Sequence, residues 1–162
     1  MASEKISELV DGAAPQNTDE FIVARSGDNY KLAWSEITAA VVTARIVLIA
    51  DATAVSVAED FASYNFIVGS DMNGLALKSI SWFIKTVSSS GLPSFAVRKN
   101  SATEMLSTNC TIDVSELTSD TATTPPVING ANSGVVTGDI LHFDCDAAGT
   151  GTRGSEVRMT FS

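Results

Sequence analysis

A single histidine, His142, supplies all the imidazole of this 162-residue chain, and only two cysteines, Cys110 and Cys145, accompany it. Two thiols cannot build the multi-bridge framework of a small stapled domain. One imidazole leaves a histidine-based triad a single candidate base, and nothing in the sequence points to its partners. Serines are abundant, but no Gly-x-Ser-x-Gly elbow occurs. Carboxylates are plentiful without a cleft pattern that would raise the pKa of one of a pair. Basic residues are outnumbered, 10 Lys and Arg against 19 Asp and Glu, and the net charge of −9 argues against binding a nucleic-acid backbone. The most apolar stretch, Ile37 to Ala50, is too short to span a bilayer and is interrupted by Arg45. Acidic residues come early with no apolar stretch behind them, so no secretory signal opens the chain. These absences predict a soluble product of the cytoplasm that is not an enzyme, with no catalytic residues, cofactor, metal, nucleic acid or membrane partner.

What is present is alternation. In Glu156–Phe161, Val157, Met159 and Phe161 point one way and Glu156, Arg158 and Thr160 the other. That is the side-chain period of a strand with one dry and one wet face. Further strands are predicted at 64–68, 75–87, 94–98, 104–114 and 138–146, with no helical period between them. The fold class is therefore mainly β, an antiparallel β-sandwich. The long crossing at 115–131, with Pro125-Pro126, suggests jelly-roll-like connections. The predicted core is Ile80, Trp82, Ile84, Cys110, Phe143, Val157, Met159 and Phe161. With aromatics at 7% it should be mainly aliphatic. Cys110 is in phase with Ile112 and Val114, and Cys145 with Leu141 and Phe143. Two buried thiols fit this phasing; one bridge between facing strands is the other arrangement it allows.

Three regions are expected. Residues 1–36 form an N-terminal arm with a short β-hairpin, residues 37–63 an apolar connector entered through a short helix capped by Ser35, and residues 64–162 the sandwich. Residues 1–63 carry 4 basic and 10 acidic groups against 6 and 9 in the rest, so the acidic excess is concentrated early. It serves solubility or attraction to a basic surface. The arm holds the candidate interface residues Ile6, Leu9, Phe21, Ile22, Val23, Tyr30, Leu32 and Trp34, since a two-stranded hairpin needs support. His142 is out of phase with Leu141 and Phe143, so it should face solvent or a neighbouring subunit. Asp144 and Asp146 share its face. Strand spacing, about 7 Å between successive same-face residues, is too wide for tight chelation. The stretch 148–154 has the glycines of a phosphate loop but no Gly-Lys-Ser/Thr ending, and reads as a turn.

Lys5-Ile6-Ser7-Glu8-Leu9 followed by Thr18–Ile37 resembles a module near the start of many tailed-bacteriophage fibre and head-associated proteins. Met105–Asn129 and Val135–Phe161 resemble a β-sandwich module of phage virion proteins, through Thr137-Gly138-Asp139, Asp144-x-Asp146 and Gly149-Thr150-Gly151. With no repeat and no room for a shaft, the chain is most similar to capsid decoration, or cement, proteins. The resemblance implies a homotrimer made in the host cytoplasm and seated on the outer surface of the virion, with the major capsid protein as partner. It also allows a short head or tail fibre that contacts host-surface carbohydrate.

Overall fold

The computed structural model describes residues 20–25, 28–33, 41–62 and 65–162. In chain order the strands are β1 (Glu20–Arg25), β2 (Asp28–Ala33), β3 (Val42–Ala54), β4 (Phe66–Ile67), β5 (Leu77–Phe83) and β6 (Ser94–Lys99). They continue with β7 (Thr103–Glu104), β8 (Leu106–Thr108), β9 (Cys110–Thr111), β10 (Val127–Ile128), β11 (Ile140–Ala147) and β12 (Arg153–Phe161). The chain divides into two units, residues 1–39 and 40–162. The first contains the antiparallel pair β1–β2, with Phe21 in register with Leu32 and Val23 with Tyr30. Ile6, Leu9, Trp34 and the expected helix entry at Ser35 lie outside the described residues.

The second unit is mainly β and packs as an antiparallel sandwich. One sheet has the order β3-β12-β5. The other places β11 between β4 and β6, and β7 and β9 share the far edge of β6. The alternation of β12 carries this arrangement. Val157, Met159 and Phe161 are fully buried, while Glu156 and Arg158 stay on the outer face. Trp82 of β5 lies flat on Phe95 of β6, with ring centroids 4.6 Å apart and planes 4° from parallel. Phe143 of β11 meets the indole edge-on at 6.1 Å. The centre of the core is therefore aromatic and joins the two sheets, although aliphatic residues surround it. Ile80, Trp82, Ile84, Cys110 and Phe143 all lie in this core.

Three expectations need correction. Residues 37–63 are not a connector, because β3 occupies thirteen of them and pairs with β12 from Val42 to Ala54. Its β-branched run behaves as such residues do on a pleated surface. Val42, Ala44 and Ile46 pack against the core while Thr43, Arg45 and Val47 face out. The sandwich thus begins some twenty residues before position 64, and Tyr64 itself lies outside the described residues. The predicted strand 104–114 is broken into β7, β8 and β9, because β8 leaves β6 to pair with β10. Val114 is exposed rather than in phase with the core; Ser115, at φ 68°, turns the chain just beyond it.

Both cysteines are buried and free. Register explains why they do not meet. Cys110 and Cys145 are both partners of Phe95, one on each side of β6. Two interstrand steps separate them by roughly 9–10 Å, beyond the Cα separation a disulfide spans.

Candidate functional site around His142

The outer face of the β11 sheet gathers most of the sandwich's organised polar chemistry. His142 and Asp144 alternate with the core residues Leu141, Phe143 and Cys145 along β11, so both point outward. Neither is open to solvent. His142 is 8% exposed and Asp144 4%, so the His142 side chain, expected to face solvent or a neighbouring subunit, is instead covered by segments of its own chain. Two segments close over it. Residues 58–61 run beside β11, with Ala58 bonded to Cys145 and the Phe61 amide to the Phe143 carbonyl. The β6–β7 turn approaches from the other side.

His142 Nδ1 lies 2.6 Å from Asp60 Oδ1, and Nε2 lies 3.0 Å from Ser101 Oγ. An ionised carboxylate only accepts, so in the neutral imidazole Nδ1 carries the proton and Nε2 accepts from the serine hydroxyl. The side-chain partners of His142 are thus Asp60 and Ser101, 82 and 41 positions away. Linear spacing carries no sign of them.

Arg98 fixes the surroundings. Its Nε and Nη2 form a fork on the Asp144 carboxylate, Nη1 donates to the Ser101 carbonyl at 2.7 Å, and Glu59 lies 3.5 Å from Nη2. Asp144 also accepts the Asp60 backbone N–H at 2.8 Å. Burial works against ionisation of Asp144, but Arg98 and the Asp60 amide hold its carboxyl below the usual range. A bidentate, mostly buried pair of this kind costs about 3–5 kcal/mol to break from one side.

The turn that presents Ser101 has an uncommon backbone. Asn100 and Ser101 have φ of 53° and 64°, and the Ala102 amide closes onto the Lys99 carbonyl. Positive φ at both central residues defines a type I′ hairpin turn, which ordinarily carries Asn-Gly. Serine stands here where glycine would be unstrained. Asn100 is tied to β11 on both sides, donating its amide to the Ile140 carbonyl and accepting from the Ile140 amide on Oδ1.

The expected acidic neighbours do not assemble into a cation site. Asp139 accepts from Asn100 Nδ2 and the Val136 amide, and Asp146 accepts from Asn109 at 2.5 Å. Among the described residues no group of three His, Cys, Asp or Glu side chains is arranged to hold a metal ion. The glycine-rich 148–154 stretch is a lock between loops. Thr150 exchanges backbone hydrogen bonds with Ser89 and Ser90, and its N–H also donates to buried Ser88 Oγ. Gly149, at φ 67°, admits no side chain, because a Cβ would lie 3.1 Å from the Gly91 carbonyl and collide with Ser88.

The outer face of the other sheet carries two open grooves, of about 460 and 360 Å³, which share Asp120. In the smaller groove Arg45 and Arg158 are cross-strand partners. Like charges placed directly opposite are unfavourable, and carboxylates offset them. Glu156 takes both Arg45 Nε at 2.5 Å and Nη2 at 2.6 Å, and Asp120 lies 3.6 Å from Arg158. No helix among the described residues is long and apolar enough to cross a membrane. Comparison with family models, curated proteins and solved structures gives no significant match.

Proposed function

We propose that this chain is a structural protein of a tailed-phage virion, a trimeric decoration protein that binds the outside of the capsid and stabilises it. The open edge of β3 is the observation that carries this reading. β3 is thirteen residues long, and among the described residues it pairs only with β12. Val47 on it is 56% exposed, and Val41 just before it 67%. An unpaired edge of that length is a template for another chain. Copies around a three-fold axis meet through two different surfaces of each copy, and the β3 edge supplies one of them. The resemblance in residues 5–9, 18–37, 105–129 and 135–161 supports the virion setting. Residues 1–36 attach the protein to the major capsid protein, since a lone hairpin is marginal in water and gains stability on docking. A protein that binds only the assembled shell stabilises that shell by mass action.

Light scattering tests the assembly. Three chains of 16.9 kDa each are expected in solution, and Val47→Lys, which puts a charge on the edge, should give a folded monomer. A wild-type monomer stable at micromolar concentration would refute the trimer. Copy number in purified particles tests location: hundreds are expected, whereas tens or fewer would move the protein to a tail appendage.

A further inference from the structure

We infer that Ser101, His142 and Asp60 form a serine-nucleophile site that takes carboxylic esters with a small apolar acyl group. The inference stands apart from the virion assignment, and it departs from the expectation that the chain has no catalytic residues. It rests on the order of contacts, Asp60 carboxylate to Nδ1 at 2.6 Å and Nε2 to the Ser101 hydroxyl at 3.0 Å. That is the constellation by which a carboxylate orients an imidazole and the imidazole takes a serine proton.

Three further features fit a nucleophile better than a structural tie. Ser101 is exposed while His142 is covered, so a substrate can reach Oγ although the base is shielded. Ser101 occupies a left-handed position that glycine would fill without strain, and strained positions of this kind concentrate at functional sites. The Ser101 backbone N–H has no hydrogen-bond partner among the described residues, which leaves a donor to meet a developing oxyanion. Arg98 holds the turn by the Ser101 carbonyl, and Asp144 holds the Asp60 amide, so nucleophile and orienting carboxylate are both anchored to one ion pair. Ile140 and Ile67 are in register beside the turn, and both are exposed, 36% and 66%. They give an apolar acyl group a place to rest.

In the acylation step the Ser101 Oγ–H proton passes to His142 Nε2 as Oγ bonds to the ester carbonyl carbon. The tetrahedral adduct then expels the alcohol, which takes the proton from Nε2 as its C–O bond breaks. Water repeats the sequence on the acyl-serine, releasing the carboxylic acid and restoring the Ser101 hydroxyl. Ser101 and His142 are the catalytic residues, and Asp60 is a positioning residue.

The test uses the full chain with a fluorophosphonate probe and p-nitrophenyl butyrate. In probe labelling Oγ bonds to phosphorus, fluoride leaves, and the proton departs by way of His142. One adduct per chain is expected, mapped by peptide mass spectrometry to Ser101, together with ester hydrolysis. Ser101→Gly should abolish both while melting at the same or a higher temperature, since glycine relieves the positive φ. His142→Gln should lower the rate at least ~100-fold, the usual contribution of a general base. Asp60 has a φ of 48°, which asparagine tolerates, so Asp60→Asn should lower the rate while shifting the tautomer. Because His142 is the only histidine, its ring-nitrogen NMR signals report that shift without overlap. The proposal is overturned by a folded wild-type chain that shows no adduct at Ser101, by labelling spread over many surface serines, or by Ser101→Gly hydrolysing at the wild-type rate.

Discussion

Trp82→Ala removes a side chain with no exposed surface, stacked on Phe95 and touched edge-on by Phe143. Truncating a buried large aromatic costs about 3–5 kcal/mol. The indole has a second attachment, because Nε1 donates to the buried Ser155 Oγ at 2.7 Å. Stranding that hydroxyl adds about 1 kcal/mol or more. The expected loss is therefore roughly 4–6 kcal/mol, against a total of about 5–15 kcal/mol for a domain. Urea denaturation followed by circular dichroism measures it. With a slope near ~2 kcal/mol/M the midpoint should fall by roughly 2–3 M. Trp82→Phe separates the contributions. It keeps an aromatic ring over Phe95 and loses the hydrogen bond, so its cost should be about 1–2 kcal/mol. A Trp82→Ala chain within ~1 kcal/mol of wild type would refute the claim that this stack joins the sheets.

Burial pushes the Cys110 and Cys145 thiols up to about 12 from an ordinary 9.0. Their neutral form favours the native state, so this stability is complete below pH 9 and should fall as pH rises from 9 towards 12; a thiol reagent should react only on unfolding. At the acid end Asp144, held low against its burial by Arg98, contributes stability above an unfolded value near 3.8, lost as pH falls further. A chain whose urea midpoint is flat from pH 5 to 2 would contradict that. Arg98→Ala leaves Asp144 buried without its partner and should cost about 3–5 kcal/mol in the same titration. Deleting residues 1–36 should leave a folded sandwich by circular dichroism that no longer binds particles, and normal decoration by the truncated chain would reverse the roles of the two units.

The strands of the core were legible wherever alternation was clean. β12, β11 and β6 announce themselves because one face of each is buried without interruption, and the period of two then appears directly in the residue types. β3 was harder to read. Its small and β-branched residues alternate in burial but scarcely in polarity, with Ala44, Ile46 and Val47 all apolar, so the run looked like a linker. The His142 cluster was illegible for a different reason. Residues 60, 101 and 142 come from a loop, a turn and a strand, and only tertiary pairing joins them. One local signal was available: Asn100-Ser101 stands between two segments that pair as a hairpin, where Asn-Gly would be ordinary.

Topology sets a constraint on folding. The central strand of each sheet comes from the end of the chain, β12 between β3 and β5 and β11 between β4 and β6. Until residues 140–161 are made, β3, β5 and β6 lack these partners, and such long-range pairings form slowly. Among the described residues β3 then has no partner on either edge, and afterwards a partner on one only. An apolar run of this length invites pairing with the wrong chain. Exposed Asp51 interrupts the run, and so does Arg45, fourth of its thirteen residues and 70% exposed. Its pairing with Glu156 of β12 engages that charge only once the sheet is complete. Among the described residues no segment covers this edge, so there the protection falls on charges within the strand itself, Arg45 and Asp51, rather than on a covering segment.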